Sequence, residues 1–222
     1  MIKYIFSTVG GSASTYLIDN LSKKYVVGDK PDAIFQPILK PLNINPGTFK
    51  KRSKGFCLNN SDDLKTIFPK YIEYIKEMPN MTAVFNYAAE LHLFSQYKVE
   101  NVVFQVRHPL HSYLSFTKPE RHKGKVDFYG GVASIEAINY YCKRWNALVE
   151  EYCRLMELGI CTWILRYEFM DNDINQLNDL KWVYDSFDSS KRNNGVLDQA
   201  SEHALKNMVS DTYFKIYDEW KI

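Results

Sequence analysis

Residues 3–17 read Lys3-Tyr4-Ile5-Phe6-Ser7-Thr8-Val9-Gly10-Gly11-Ser12-Ala13-Ser14-Thr15-Tyr16-Leu17. The apolar run at 2–6 predicts a short buried strand, which the two glycines end. Apolar residues between Tyr16 and Leu21 predict that a helix follows. A strand, a glycine turn and a hydroxyl-rich helix start are typical of an anion site. Glycine lets the backbone approach the ligand closely, and the first N–H groups of the helix point at it.

This stretch also has a plainer interpretation, a tight turn with a serine or threonine as the N-cap of the helix. Its position favours the anion site, because the first strand-to-helix turn is where open α/β sheets usually bind ligands. It is not a Walker A loop, since Ala13-Ser14-Thr15 lacks the lysine which that motif requires.

Composition bounds the class of protein. A chain of 222 residues predicts one α/β domain over 1–222, and the net charge of +2 argues against nucleic acid as a partner. The four cysteines form no CxxC pair and accompany no histidine cluster, so we expect no metal site and reduced thiols in the cytoplasm. No stretch approaches 18 apolar residues, so no membrane span is expected.

Strands and helices alternate along the predicted chain, which indicates an α/β fold. Beyond the first strand and helix, we predict strands at 25–27, 99–106 and 161–165. Helices are predicted at 64–77, 81–97, 135–158, 177–187 and 201–220. Residues 36–60 and 117–131 lose periodicity and are predicted to be flexible loops.

A second group of polar residues follows the predicted strand at 99–106. Arg107 comes directly after the strand, and Pro109 suits the first turn of a new helix. An arginine presents a planar fork that matches phosphate oxygens, and Ser115, about two helical turns along, lies on the same side. The alternative is a structural junction in which the arginine forms a salt bridge.

The first stretch resembles the phosphate loop of the sulfotransferases that use 3′-phosphoadenosine 5′-phosphosulfate (PAPS). The pattern of that loop is roughly Pro-Lys/Arg-Ser-Gly-Ser/Thr-Thr-x-Leu, matched here at Ser12, Ser14, Thr15 and Leu17. Two positions depart from it: Gly11 stands where the family has its catalytic lysine or arginine, and Ala13 replaces a glycine.

The second group resembles another motif of the same family, Arg-Asn/Asp-Pro with a serine eight residues after the arginine. Arg107, Pro109 and Ser115 keep this pattern. A later strand followed by Tyr167-Glu168 is similar to a further family element, in which we interpret Glu168 as structural. Both main motifs occur in the family's order, which favours the resemblance over a chance match.

The resemblance implies a three-layer α/β/α sandwich around a short parallel sheet, a sulfotransferase fold similar to that of P-loop NTPases. It implies sulfuryl transfer from PAPS, without a metal, to a hydroxyl or amine of a small-molecule, carbohydrate or lipid acceptor. Arg107 and Ser115 would hold the 3′-phosphate, and a late basic loop would close over the nucleotide with Lys191, Arg192 and Gly195. The 5′-phosphosulfate would lie on Gly10, Gly11, Ser12, Ala13, Ser14 and Thr15.

The glycine at position 11 leaves the bridging oxygen without its usual cation. We expect Lys30, after the second predicted strand, to supply the charge in preference to the basic run at 50–54. A lysine introduced by Gly11→Lys is expected to restore part of the activity lost without Lys30. The general base is open among four residues, with Asp29 favoured by position: Asp29, Asp32, His92 and His111.

Two other functions remain open from the sequence. One is a P-loop-type kinase for a nucleotide or small molecule, against which the missing Walker lysine counts. The other is a non-catalytic relative that binds 3′-phosphoadenosine 5′-phosphate (PAP), for which Gly11 is the main argument.

Overall fold

The structure is a computed structural model that describes residues 4–21, 23–24, 26–27, 49–52, 55–58, 69, 81–85, 92–117, 133–188 and 196–220. Its strands are β1 (Ile5–Thr8), β2 (Val26–Val27), β3 (Phe49–Arg52), β4 (Gly55–Leu58), β5 (Met81–Phe85), β6 (Val102–Val106) and β7 (Thr162–Arg166). The α-helices are α1 (Ser14–Leu21), α2 (Leu93–Gln96), α3 (Pro109–Phe116), α4 (Ile135–Glu157), α5 (Met170–Asp173), α6 (Lys181–Tyr184) and α7 (Gln199–Tyr213). Short 3₁₀ turns lie at Tyr167–Phe169, Ile174–Gln176 and Asn178–Leu180.

Five of these strands form a parallel sheet in the order β2-β5-β1-β6-β7. The first strand is therefore central, and its two neighbours come much later in the chain, with Ile5 paired to both Ala83 and Val102. Strands β3 and β4 pair separately as an antiparallel hairpin. The described residues thus form an α/β fold built on a parallel sheet.

Helices cover both faces of the sheet. On one face Ile5, Val9 and Phe104 pack with apolar residues of α3, α4 and α7. On the other face Phe6, Val103 and Leu165 pack with α1 and with the helical turns between 170 and 184. Successive strand residues point to opposite faces, so a strand buried on both sides reads as a continuous apolar run.

The prediction of one helix over 81–97 is wrong. Residues Met81–Phe85 form β5, which lies between β2 and β1, and only Leu93–Gln96 is helical near the end of the predicted range. A five-residue apolar run can be a buried strand or a buried helical segment, and pattern alone does not separate them. Pairing with two parallel strands decides for the strand.

Other predicted elements fare better. The strands predicted at 99–106 and 161–165 and the helix at 135–158 are confirmed, within a few residues at their ends. The predicted loop at 36–60 contains the β3–β4 hairpin, and the closing helix ends at Tyr213 instead of residue 220. Apart from residues 117 and 69, the predicted loop at 117–131 and the predicted helix at 64–77 lie outside the described residues.

The sheet has a topological switch between β1 and β6. From β1 the chain goes on to β2 at one edge of the sheet, whereas from β6 it goes on to β7 at the other edge. Neighbouring strands whose chains leave in opposite directions open a crevice at their carboxyl ends, where open α/β sheets bind ligands. Residues 9–13 and 107–108 lie at this crevice.

Candidate functional site

The predicted phosphate loop, residues 9–14, has an alternating backbone conformation. Gly11 has φ +89° and Ala13 has φ +64°, whereas Ser12 between them does not have a positive φ. Alternation of this kind turns successive N–H groups toward one concave side and makes an anion-binding nest. Ser12 closes the turn from within, since its N–H and its hydroxyl both donate to the Val9 carbonyl, at 3.3 and 2.6 Å.

Two side chains fix the orientation of the loop peptides. The Ser112 hydroxyl of α3 donates to the Gly10 carbonyl at 3.0 Å, and the Gln105 amide of β6 donates to the Ser12 carbonyl. In a planar trans peptide the N–H points opposite to the C=O. The N–H groups of Gly11 and Ala13 therefore point away from Ser112 and Gln105.

The side chain of Gln105 is itself held by a hydrogen bond from a second residue. Its side chain is fully buried, and its carbonyl oxygen accepts the Tyr184 hydroxyl at 2.7 Å. Sequence reasoning missed both residues. The available signal was a polar glutamine in the otherwise apolar strand 102–106, which indicates a buried amide with specific partners.

Gly11 is in backbone contact with α3. A Cβ at this position would lie 2.9 Å from the carbonyl carbon of Ser112 and would overlap its oxygen. With the positive φ, this contact leaves no room for a side chain in this loop conformation. This backbone conformation therefore argues against the expectation that Gly11→Lys restores activity, because a lysine side chain has no space there.

Ala13 carries the second positive φ of the loop. Left-handed backbone costs a residue with a Cβ roughly 1–2 kcal/mol, which glycine does not lose. The structure thus gives a physical reason why a glycine suits this position, where the sulfotransferase pattern has one. Ala13 directly precedes α1, and its carbonyl accepts the Leu17 N–H of that helix at 3.2 Å.

Arg107 lies beside the phosphate loop. It is 6% exposed, and its Nη1 is 3.5 Å from the Gly11 carbonyl oxygen. The centre of its guanidinium is 4.1 Å from the centroid of the Tyr167 ring. The structure therefore brings together two residues of the predicted site, Gly11 and Arg107, that are 96 positions apart.

His108 begins α3 in the place where the family pattern has Asn or Asp. Its Nδ1 accepts the Leu110 N–H at 3.3 Å, so it caps the helix as those residues do. Its ring packs against Trp220 and Tyr213, with centroids 4.6 and 5.4 Å away. His111, a candidate base, is buried beside it, with ring centroids 5.5 Å apart.

Glu168 connects three elements of the site. One carboxylate oxygen accepts the His108 N–H at 3.0 Å, and the other accepts the Tyr217 hydroxyl at 2.9 Å. Burial raises the pKa of this carboxyl above its ordinary value, and the His108 N–H, the Tyr217 hydroxyl and the nearby Arg107 partly offset that rise. These contacts agree with the structural role expected for Glu168.

The serine of α3 that contacts the phosphate loop is Ser112. Ser115, predicted to bind the 3′-phosphate, is buried one helical turn further along. Residues three apart lie on one helix face, so Ser112 and Ser115 lie on the same side of α3. The sequence pattern, a serine eight residues after the arginine, identified only Ser115.

His92 lies toward the amino ends of the strands, since the helix that follows it leads into β6. It directly precedes α2, whose Ser95 N–H donates to Glu151 at 2.7 Å. Glu151 lies near the C-terminal end of α4, and the chain continues from that end to the start of β7. This position is remote from the carboxyl ends of the strands, so His92 is a poor candidate for the base.

Several predicted site residues lie outside the described residues. They are Asp29, Lys30, Asp32, Lys191, Arg192 and Gly195, and the Thr15 side chain is outside them too. Part of the 50–54 run, Lys50 to Arg52, lies on β3. Within the described ranges, no group of three or more His, Cys, Asp or Glu residues is placed to hold a metal ion. None of the helices described there has the length and apolar character needed to cross a membrane.

No known family model matches this sequence, and a search of curated proteins finds no sequence similar to it.

Proposed function

We propose that this protein transfers a sulfuryl group from PAPS to the hydroxyl or amine of a small-molecule, carbohydrate or lipid acceptor. The observation that carries the proposal is the meeting of the two motifs at the switch point of the sheet, where Arg107 Nη1 lies 3.5 Å from the Gly11 carbonyl. A nucleotide with phosphates at both its 3′ and 5′ positions needs two neighbouring anion sites, and the two motifs supply one each.

Each group of the proposed site has one task. The N–H groups of Gly11, Ala13 and Ser14 would bind the 5′-phosphosulfate, because nests and helix starts favour anions. Arg107, with Ser115, would bind the 3′-phosphate, and the loop with Lys191, Arg192 and Gly195 would cover the nucleotide.

The transfer needs positioning and charge stabilisation more than covalent help. The acceptor oxygen or nitrogen would form a bond to sulfur as the bond from sulfur to the bridging oxygen breaks. The acceptor proton would pass to a base, for which Asp29 is favoured, and PAP would leave with Lys30 neutralising its new charge. Both residues remain predictions from their position after the second strand.

Nucleotide preference and transfer together test the proposal. PAP is expected to raise the melting temperature far more than ADP or ATP, and labelled PAPS is expected to transfer sulfate to an acceptor in a screen of sugars, lipids, phenols and peptides. Equal thermal shifts from the three nucleotides would reject a 3′-phosphate site. Magnesium-dependent phosphate transfer from ATP would establish a kinase instead.

One observation favours a second candidate, a non-catalytic relative that binds PAP. The contact between Gly11 and Ser112 excludes any cation at position 11. Lys30→Ala separates the two candidates. If Lys30 is the catalytic cation, this variant is expected to lose about two orders of magnitude in turnover with little change in PAP affinity. Tight PAP binding without transfer by the unmodified protein would support the binding relative.

A further inference from the structure

We propose that Tyr167 and Glu168 are positioning residues for Arg107, one acting on its guanidinium and the other on its backbone. Tyr167 orients the guanidinium and Glu168 fixes the backbone. This inference rests on the proposed function, in which Arg107 binds the 3′-phosphate, and it adds to that function the residues that set the strength of this contact.

The backbone of Arg107 is fixed through a single peptide unit. Its carbonyl oxygen accepts the Trp145 indole N–H at 3.0 Å. The N–H at the other side of the same peptide, from His108, donates to Glu168 at 3.0 Å. Because the peptide is planar, partners on opposite sides prevent its rotation.

The guanidinium is fixed by the aromatic ring of Tyr167, 4.1 Å from its centre. A cation over a ring face is attracted by the ring quadrupole, and arginine commonly stacks on an aromatic ring with the face of its guanidinium. The N–H donors point outward in the guanidinium plane, so the ring orients the fork without taking the edge that a phosphate needs.

The Tyr167 ring is itself held in place. Its hydroxyl donates to the Asp188 carbonyl at 3.2 Å, and its ring meets Phe187 at 4.7 Å in an edge-on arrangement. The ring is therefore a firm support for a long side chain that would otherwise lose many rotamers on binding.

Sheet pairing explains why two consecutive residues act on one arginine. Val106 pairs with Arg166 in neighbouring parallel strands, so the residues that follow each strand lie side by side. The turn after β7 then places Tyr167 toward the Arg107 side chain and Glu168 toward its backbone. Glu168 also accepts the hydroxyl of Tyr217, which ties the chain after α7 to this junction.

A double-mutant cycle tests whether Tyr167 acts through Arg107. Affinities for PAP and for AMP, which lacks the 3′-phosphate, are measured by calorimetry in the full chain for four proteins: wild type, Arg107→Ala, Tyr167→Leu and the double variant. Wild type is expected to prefer PAP, and Arg107→Ala to lower PAP affinity about tenfold or more. Tyr167→Leu should lower PAP affinity and leave AMP affinity nearly unchanged. The double variant should bind PAP no more weakly than Arg107→Ala does.

Controls keep the test independent of folding. Tyr167→Phe keeps the ring and should keep most of the PAP preference, while melting curves without nucleotide show that each variant folds. If Tyr167→Leu does not fold, the cycle is run with Glu168→Gln. That change replaces a charged acceptor by a neutral one and should lower PAP affinity about threefold. The loss is expected in the protein that has Arg107 and not in the Arg107→Ala background.

Losses that simply add in the double variant, or a Tyr167→Leu protein with wild-type PAP preference, would overturn the inference. A folded Glu168→Gln protein with unchanged PAP preference would overturn the role of Glu168. A wild-type protein that does not prefer PAP over AMP would instead overturn the proposed function, so the two failures are distinguishable.

Discussion

The phosphate loop and the arginine junction lie side by side at the carboxyl ends of β1 and β6 but are held in opposite ways. The loop contains small residues only, and its shape comes from positive φ angles and from backbone contact between Gly11 and Ser112. The junction at 107–108 is held by large side chains, among them Trp145 and Tyr167. The loop should therefore be damaged by added atoms, and the junction by removed ones.

The largest expected effect comes from adding one methyl group to the loop. Gly11→Ala should lower the free energy of unfolding by about 2–5 kcal/mol, for two reasons. A residue with a Cβ is strained in the left-handed conformation, and this Cβ would also overlap the backbone of α3. Urea denaturation measures the loss. The matched control is Gly159→Ala, where φ is +66° but nothing lies within 4 Å of the added Cβ. That variant should lose only about 1–2 kcal/mol, and equal losses would mean that the α3 contact does not restrict the loop.

The next effect asks whether the loop also depends on one large side chain. Gln105→Met removes the donor to the Ser12 carbonyl and the acceptor of the Tyr184 hydroxyl, and should cost about 1–3 kcal/mol. PAP affinity should fall with it, because the Ala13 N–H loses its orientation. Tyr184→Phe removes only the hydrogen bond from the Tyr184 hydroxyl to Gln105. If it lowers PAP affinity as much as Gln105→Met does, the glutamine does not act on the loop directly.

A smaller effect of opposite sign is expected at the second positive φ. Ala13→Gly should raise the free energy of unfolding by up to about 1 kcal/mol, since relief of the left-handed strain exceeds the added flexibility of glycine in the unfolded chain. PAP affinity should stay within about twofold. Asn101→Gly, at φ +58°, is the control: asparagine tolerates this conformation, so its replacement should gain less. A destabilised Ala13→Gly protein would contradict the loop geometry.

The smallest expected effect concerns pH and the arginine junction. The pKa of Glu168 is raised by burial in the folded chain, so the folded state holds the proton to a higher pH than the unfolded state does. Its contribution to stability is therefore present below about pH 4.5, the ordinary pKa of glutamic acid, and is lost as the pH rises through the folded-state pKa.

Glu168→Gln should flatten this part of the curve of unfolding free energy against pH. Glu151, whose pKa burial also raises, is the control, because it lies toward the amino ends of β6 and β7, away from the arginine junction. Glu151→Gln should flatten the curve without changing PAP affinity. An unchanged pH curve for Glu168→Gln would show that the carboxyl is ionised alike in both states.

The sequence predicted the elements whose pattern is local. Periodicity was sufficient for α4, and apolar runs were sufficient for β6 and β7. It failed at Met81–Phe85, because this strand is defined by the two partners it pairs with and not by its own five residues.

The same limit applies to the candidate site. The loop and Arg107 were predicted to share a site because residue types and order identify them, and the described residues place them together. Ser112 and Gln105 were missed, and Tyr167 was matched to a family element without its contact to Arg107, since each acts through a residue that is far away in sequence. Such contacts depend on strand order, which no local pattern contains.

The central position of β1 has a consequence for how the chain is made. This apolar strand leaves the ribosome before its two neighbours in the sheet, which are completed only at Phe85 and Val106. At synthesis rates of about 5–20 residues per second, both edges of the strand stay unpaired for roughly 4–15 s, until Phe85 has been added. Unpaired apolar edges associate with other chains. The nascent protein is thus more prone to aggregation before the segment that carries Arg107 has emerged than after it.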